Sequence, residues 1–216
     1  MVNFMSTTFY TPFEERLHAL SHGIGAILSV FAVISMLRLS ALHNDSWHYA
    51  SSIIYGVSLV LLYSSSTLYH SIANIEIKRK LRQLDHAAIF ILIAGTYTPF
   101  TLINLRADWG IALFALIWSV ALVGVILELA TKLKYKKLSL SLYLGMGWLV
   151  VLAIKPMLDN VEIGGLLLLL AGGLSYSVGV IFYAWKKLYL HHVIWHLFVL
   201  AGSILHFFAV YFYVLA

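Results

Sequence analysis

The sequence contains no cysteine among its 216 residues. Disulfide bonds are therefore excluded, and any metal site has to be built from histidine and carboxylate side chains. Charged residues are also scarce, at 11%, whereas a soluble domain has about 25%. With 62% hydrophobic residues, the chain has too little polar surface to cover a water-soluble globule. These scarcities favour an integral membrane protein.

The net charge of +5 does not require a nucleic-acid partner, and we expect none. Membrane proteins carry Lys and Arg in their cytoplasmic loops, where these residues set the orientation of the chain. Met1–Pro12 is polar and aromatic and lacks the basic start of a secretory signal. No cleavable signal peptide is therefore predicted.

Long apolar segments predict the architecture, because seven of them approach the ~20 residues that a bilayer requires. They are Leu17–Leu42, Trp47–His70, Leu84–Leu105, Trp109–Ala130, Leu138–Met157, Ile163–Trp185 and His192–Val214. Before the first, Thr11-Pro12-Phe13-Glu14 has the pattern of a capping box with proline at the first helical position. We predict an all-α integral membrane bundle of seven transmembrane helices at residues 17–216, after a cytoplasmic N-terminal segment at residues 1–16.

The basic residues are unevenly distributed between the two sides of this bundle. The side of the N-terminus holds Arg16, Lys78, Arg79, Lys80, Arg82, Lys132, Lys134, Lys136, Lys137, Lys186 and Lys187, and the other side holds Arg38, Arg106 and Lys155. The positive-inside rule then predicts a cytoplasmic N-terminus and an external C-terminus in the cell inner (plasma) membrane. That orientation is opposite to G-protein-coupled receptors. The last segment also has no lysine for a retinal Schiff base.

Histidines at matching depth predict a metal site. His192 and His196 are four residues apart, so on a helix their imidazoles share one face. His70 ends the second segment on the same side of the membrane, and Asp85 is expected in the first turn of the third. Three histidines with an open fourth position form a catalytic zinc arrangement, and Asp85 could orient or deprotonate a zinc-bound water. Ser66, one helical turn before His70, could hold Asp85 or donate to a developing oxyanion.

The sequence leaves alternatives open for these residues. A single histidine at a helix end is often only an interfacial anchor. His18 and His22 form a second pair with the same spacing at the start of the first segment. Asp85 could simply be an acidic residue that the helix dipole favours.

Two histidines of the last segment are not expected to bind metal. His191 competes with His192, but the residue four positions after His191 is Trp195, which cannot be a ligand. His206 lies about 15 Å along the helix from His196 and off its face, so a packed or hydrogen-bonded core histidine is predicted.

Other polar positions have plainer interpretations. Pro99 is expected to kink the third helix because it removes a backbone hydrogen bond. Glu128 and Lys155 lie near segment ends and are expected to extend toward water. His43 and His48 are expected to be solvated.

Four motifs spread along nearly the whole chain carry a family resemblance. They are Glu14-Glu15-Arg-Leu-His18-Ala-Leu-Ser-His22-Gly23, Ser66-x-x-x-His70, Leu84-Asp85-His86 with Gly95-Thr-Tyr-Thr-Pro99, and His192-x-x-x-His196. The chain resembles the bacterial haemolysin III family, relatives of the progestin and adiponectin receptors in a group that includes alkaline ceramidases. It departs from the family at His18, where asparagine is usual.

The resemblance implies a zinc ion held by His70, His192 and His196. It further implies that Asp85 interacts through the zinc-bound water, that Ser66 lies nearby, and that a lipid-accessible cavity opens in the cytoplasmic half of the bundle.

Three functions are compatible with these patterns. The first is a zinc-dependent hydrolase of a lipid amide or ester, with membrane lipids as partners and substrate source. The alternative is a non-enzymatic membrane sensor or regulator, or a pore-forming protein, with structural zinc. A transporter is disfavoured because polar residues are not expected to continue across the middle of the bundle.

Overall fold

The structure, a computed structural model, describes residues 10–43, 45–107 and 109–216. Over these ranges the chain is helical without a strand, and seven segments are long and apolar enough to cross a membrane, as predicted. The α-helices are α1 Pro12–His43, α2 Ser46–Ser71, α3 Ile75–Pro99, α4 Gly110–Thr131, α5 Lys136–Gly147, α6 Ile154–Asn160, α7 Ile163–Ala184 and α8 His191–Tyr213. The signal-peptide prediction concerns Met1–Pro12, of which residues 1–9 lie outside the described ranges.

The predicted capping box at the start of α1 is confirmed. Glu14 Oε2 accepts hydrogen bonds from Thr11 N at 2.9 Å and Thr11 Oγ1 at 2.8 Å, and Glu14 N donates to Thr11 Oγ1 at 3.3 Å. Pro12 occupies the first helical position, where its missing N–H costs no hydrogen bond. The helix therefore begins five residues before the apolar segment that was predicted.

The start of α3 was predicted wrongly, and the error changes the interpretation of Asp85. Asn74 caps the helix by accepting from two backbone N–H groups of the first turn at 3.0 and 3.1 Å, so α3 begins at Ile75. Asp85 lies ten residues inside the helix rather than in its first turn. The helix dipole acts within the first turn, so it does not account for Asp85.

The predicted fifth and third helices are interrupted. α5 ends at Gly147, a 3₁₀ stretch runs over Leu149–Ala153, and α6 completes the span. After Pro99 the backbone continues as a π-helix over Phe100–Asn104. The proline removes one backbone donor, and a wider turn accommodates the loss.

Neighbouring helices pack in chain order from α1 to α4, α7 packs on α8, and α8 returns to pack on α1. The N-terminal end of α8 is thereby brought beside the start of α1 and the end of α2. This closure places the histidines of three helices at one end of the bundle.

The interior contains more polar groups than the sequence indicated. Tyr63 and Tyr176 each form a 2.7 Å hydrogen bond with Ser203 Oγ, and Ser51, Ser52 and Ser58 are buried in α2. Polar side chains therefore do occur in the middle of the bundle, and the expectation that they do not continue across it stays a prediction.

Glu128 does not extend to water as expected. Its side chain is 1% exposed, and its Oε1 accepts from the Tyr143 hydroxyl at 3.2 Å. Lys155 does lie at the surface, where it pairs with Asp159 at 2.8 Å.

The remaining histidines outside the predicted site have ordinary roles. His206 Nε2 donates to the Leu169 carbonyl at 3.0 Å, which confirms a hydrogen-bonded core histidine. His43 is exposed but also binds the Leu215 carbonyl.

Candidate metal centre

Five buried histidines meet at one end of the bundle, and we call them the histidine cluster: His18 and His22 of α1, His70 of α2, and His192 and His196 of α8. His70, His192 and His196 each offer a ring nitrogen within 4.8 Å of the other two. Their ring centroids are 5.4, 5.2 and 4.6 Å apart. The three side chains thus lie together at one end of the bundle, and metal binding by them stays a prediction.

Glu15 orients the ring of His70. The Glu15 Oε2 atom lies 2.7 Å from His70 Nδ1, and Glu15 Oε1 lies 3.0 Å from Lys78 Nζ. Because an ionised carboxylate only accepts, His70 Nδ1 carries the hydrogen and Nε2 keeps its lone pair. The Nε2 atom is buried and has no hydrogen-bond partner in the part of the chain that the structure describes. A carboxylate bound to the far nitrogen of a histidine is typical of metal ligands.

Ser21 plays the same part for His196. Its hydroxyl donates to the His18 carbonyl at 2.9 Å and lies 3.0 Å from His196 Nδ1. A hydroxyl has one hydrogen, so here Ser21 Oγ accepts from His196 Nδ1–H. The lone pair of His196 is therefore on Nε2, on the opposite side of the ring from Ser21.

Unpaired nitrogen atoms in the histidine cluster fit a bound metal ion. Both ring nitrogens of His18, Nε2 of His22, Nε2 of His70 and Nδ1 of His192 are buried without a hydrogen-bond partner among the described residues. A buried polar atom without a partner costs about 1–3 kcal/mol, and a metal ion would satisfy several at once. An imidazole donor set suits Zn²⁺ among the common biological metals.

Ser66 and Asp85 line the same cavity as His22, His192 and His196. Ser66 Oγ is bound to His22 Nδ1 at 2.7 Å rather than to Asp85. Asp85 is partly buried, lies 3.3 Å from His86 Nδ1, and belongs to neither group of potential metal donors found in the described residues. The catalytic roles predicted for these two residues remain predictions.

The cavity has a volume of about 140 Å³ and apolar walls. That volume is comparable with the ~150 Å³ of an engineered cavity that binds benzene, so it admits part of a lipid rather than a whole one. Leu62, Ile89, Leu92, Leu140, Leu144, Val180 and Val199 form its walls. Gly147 and Trp148, where α5 ends, also line it and are exposed on the outside of the bundle.

Tyr10 covers the end of the histidine cluster. Its ring stacks on His192 with centroids 5.0 Å apart and meets the edge of His18 at 4.5 Å. Burial, the largest contribution, raises the pKa of the Tyr10 hydroxyl above its usual value, so the phenol is neutral at physiological pH.

Sequence reasoning missed Glu15, Ser21 and Lys78 and left His18 as part of a rival pair. Glu15 and His18 are three residues apart, which places them on one face of α1. That spacing could have drawn attention to Glu15. Lys78 had been placed in a basic loop, whereas it is 6% exposed and donates to the Tyr69 carbonyl at 3.0 Å.

Comparison with known proteins is consistent over almost the whole chain. A family model described as Haemolysin-III related matches residues 10–207. The chain is 48% identical over 202 residues to Hemolysin-3 of Bacillus cereus, covering 94% of this chain and 92% of that protein. It is 46% identical over 204 residues to the Hemolysin-3 homolog of Bacillus subtilis (strain 168), with 94% and 96% covered. It is 32% identical over 213 residues to the human monocyte to macrophage differentiation factor, with 94% and 85% covered.

Proposed function

The chain belongs to the haemolysin III family of multi-pass membrane proteins, and from that premise we propose that it is a zinc-dependent hydrolase of a lipid amide or ester. One observation carries the proposal. The cavity that contains His192, His196, Ser66 and Asp85 has mostly apolar walls and reaches the outside of the bundle where α5 ends. A lipid could thus enter from the side of the bundle and present a carbonyl to polar groups.

His70, His192 and His196 would hold the zinc ion through nitrogens that other contacts leave available. When bound, zinc supplies a Lewis acid that polarises a carbonyl and lowers the pKa of a coordinated water. Glu15 and Ser21 fix the rings of His70 and His196, so the ligands would be pre-oriented.

Asp85 would act as the general base. Its carboxylate lines the cavity together with the histidines, so a water there could lose a proton to Asp85 as its oxygen bonds to the lipid carbonyl carbon. The protonated Asp85 would return that proton to the leaving nitrogen or oxygen as the amide or ester bond breaks. The proton count is then unchanged over the reaction.

Ser66 can assist only with one arrangement of hydrogens. If His22 Nδ1 donates to Ser66 Oγ, the hydroxyl hydrogen of Ser66 is free to stabilise a developing oxyanion. If Ser66 donates to His22 instead, no hydrogen remains for the substrate. The proposal requires the first arrangement.

The test is lipid hydrolysis by the purified protein reconstituted in lipid, with ceramide and phospholipid substrates. We expect His192→Ala and Asp85→Asn to abolish turnover. The controls are His43→Asn and Asp159→Asn, which remove an imidazole and a carboxylate at the opposite end of the bundle. Both control variants should retain activity. Turnover that persists in Asp85→Asn or after zinc removal, or no turnover by the unaltered protein on any substrate, contradicts the proposal.

A second candidate is a non-enzymatic sensor or regulator with structural metal. It is favoured by His18, a buried histidine whose ring centroid lies 4.6 Å from that of His70 and 4.8 Å from that of His192. If protein atoms fill every position around the ion, no water remains to be activated. Metal removal that lowers the melting temperature while the same assay shows no hydrolysis would favour this function.

A further inference from the structure

We infer that His18 is a fourth histidine ligand of the metal ion and closes the site in its resting state. The inference rests on the metal-binding part of the proposed function and not on the hydrolysis. It assigns a role to a side chain that the three-histidine site does not use.

Burial gives the first argument. His18 is 0% exposed, and within residues 10–43, 45–107 and 109–216 neither of its ring nitrogens has a hydrogen-bond partner. A neutral imidazole presents one donor and one acceptor, and each costs about 1–3 kcal/mol when buried unpaired. In contrast, His22, His70 and His196 each bind a polar side chain through Nδ1. A metal ion bound to the lone-pair nitrogen of His18 would remove one of these two penalties.

Spacing gives the second argument. The ring centroid of His18 lies 4.6 Å from that of His70, 4.8 Å from that of His192 and 5.3 Å from that of His196. The three other rings lie 4.6–5.4 Å from one another. Four imidazoles arranged tetrahedrally around zinc, with Zn–N near 2 Å, have centroids about 5 Å apart. The centroids of the four rings thus have the spacing of a tetrahedral site. The ring nitrogens of His70, His192 and His196 already lie within 4.8 Å of one another, and His18 has to turn its nitrogen toward them to join this group.

Ring orientation separates His18 from His22. The plane of His18 is inclined by 59°, 84° and 53° to His70, His192 and His196, so in-plane lone pairs can converge. His22 lies flat on His196, with centroids 3.6 Å apart and planes at 9°. Two stacked rings direct their lone pairs along parallel planes. His22 is therefore not the fourth ligand.

A second ion held by Glu15, His18 and His70 is the competing use of His18. Those three residues do form a compact donor group, but both oxygens of Glu15 are engaged. One lies against His70 Nδ1 and the other against Lys78 Nζ. The ammonium of Lys78 would repel a cation placed there. One ion with four histidines avoids this repulsion.

A four-histidine site predicts a specific chemical behaviour. With every tetrahedral position filled by protein, the ion holds no water until His18 leaves or the coordination number rises. Metal exchange should accordingly be slow. Substitution of His18 should open the position without removing the ion.

The first measurement is the X-ray absorption spectrum of the unaltered zinc protein, which counts imidazole ligands without any substitution. We expect four histidines and no water. The second uses Co²⁺, whose visible absorption reports coordination, on His18→Asn and on His206→Asn as a buried-histidine control. We expect His18→Asn to change the spectrum and weaken Co²⁺ binding at least tenfold, since losing a ligand costs no less than losing a supporting contact.

Three imidazoles in the absorption spectrum, or a His18→Asn protein with the Co²⁺ spectrum and affinity of the unaltered one, would overturn the inference. The proposed hydrolysis fails by a different result. Lipid turnover that survives in Asp85→Asn contradicts the hydrolase whatever the ligand count, and a four-histidine site is still established if no lipid is cleaved.

Discussion

At the scale of single residues, the candidate site depends on contacts that hold its histidines in place. Glu15 binds His70 on one side and Lys78 on the other. Removing one partner of a buried ion pair leaves an uncompensated charge and costs more than the pair contributes. Lys78 therefore acts on the histidine cluster through its ion pair with Glu15.

Glu15→Gln should weaken zinc binding by about 10–100-fold, the usual cost of losing the group that supports a metal-bound histidine. The measurement is a competition titration with a zinc indicator in detergent. Glu14→Gln is the matched control, because glutamine can replace glutamate in the capping box at the start of α1.

Charge on Lys78 complicates Glu15→Gln, so the double variant with Lys78→Met is needed as well. If zinc affinity is lost only in the single variant and is normal in the double variant, then Glu15 acts by neutralising Lys78 and not by orienting His70.

At the scale of helices, close approach between neighbours determines where the ligand-bearing residues lie. α2 carries His70 and packs against α3, which carries Asp85. The two helices touch at Gly95, where an added Cβ would overlap with Ser58 Oγ. A small residue is therefore needed at this crossing.

Gly95→Ala should destabilise the protein by about 1–3 kcal/mol, because Ser58 or the helix itself has to move. The measurement is thermal unfolding in detergent. Gly173→Ala in α7 is the control, since a Cβ there meets nothing within 4 Å, and alanine is the better helix former. An equal melting temperature for both variants would show that the α2–α3 contact is not tight.

The ends of the membrane-spanning helices were predicted with uneven accuracy. The bounds of α2, α4, α7 and α8 were predicted to within one residue at each end. The start of α3 was not, because its first turns carry basic residues and no hydropathy pattern marks them. The Asn74 cap was the available signal. The break after α5 is followed by Pro156, which cannot donate a backbone hydrogen bond to Leu152, and α5 itself ends at Gly147. These glycine and proline signals were available in the sequence and were not used.

At the scale of the whole molecule, the basic residues predict the orientation in the membrane. Lys78 is buried and paired with Glu15. Without it, the end of the bundle that holds the histidine cluster still carries more Lys and Arg residues than the opposite end. We still expect the histidine cluster on the cytoplasmic side.

The cysteine-free chain allows a direct test of orientation. Glu76 and Asp159 are exposed, at the start of α3 and the end of α6, on opposite ends of the bundle. An impermeant maleimide should label Asp159→Cys in intact cells and Glu76→Cys only after permeabilisation. The unaltered chain, which has no thiol, is the control for background. The reverse pattern would place the histidine cluster outside.

The sequence by itself determined that the chain lies in a bilayer and which residue types could bind a metal ion. A chain with few charges and seven long apolar segments has to bury them in a bilayer, and without cysteine a metal site has to use histidine and carboxylate. The common depth of His70, His192 and His196 also followed, because helix ends on the same side of a membrane lie at one level.

Tertiary structure alone decided which faces of those helices meet. Tilt and rotation are set by packing against neighbouring helices and not by apolar length. The structure therefore had to show that α1 turns Glu15 and His18 toward His70, and that Glu128 faces inward. Ring direction has the same origin, since Ser21 and Glu15 orient rings that are distant in sequence.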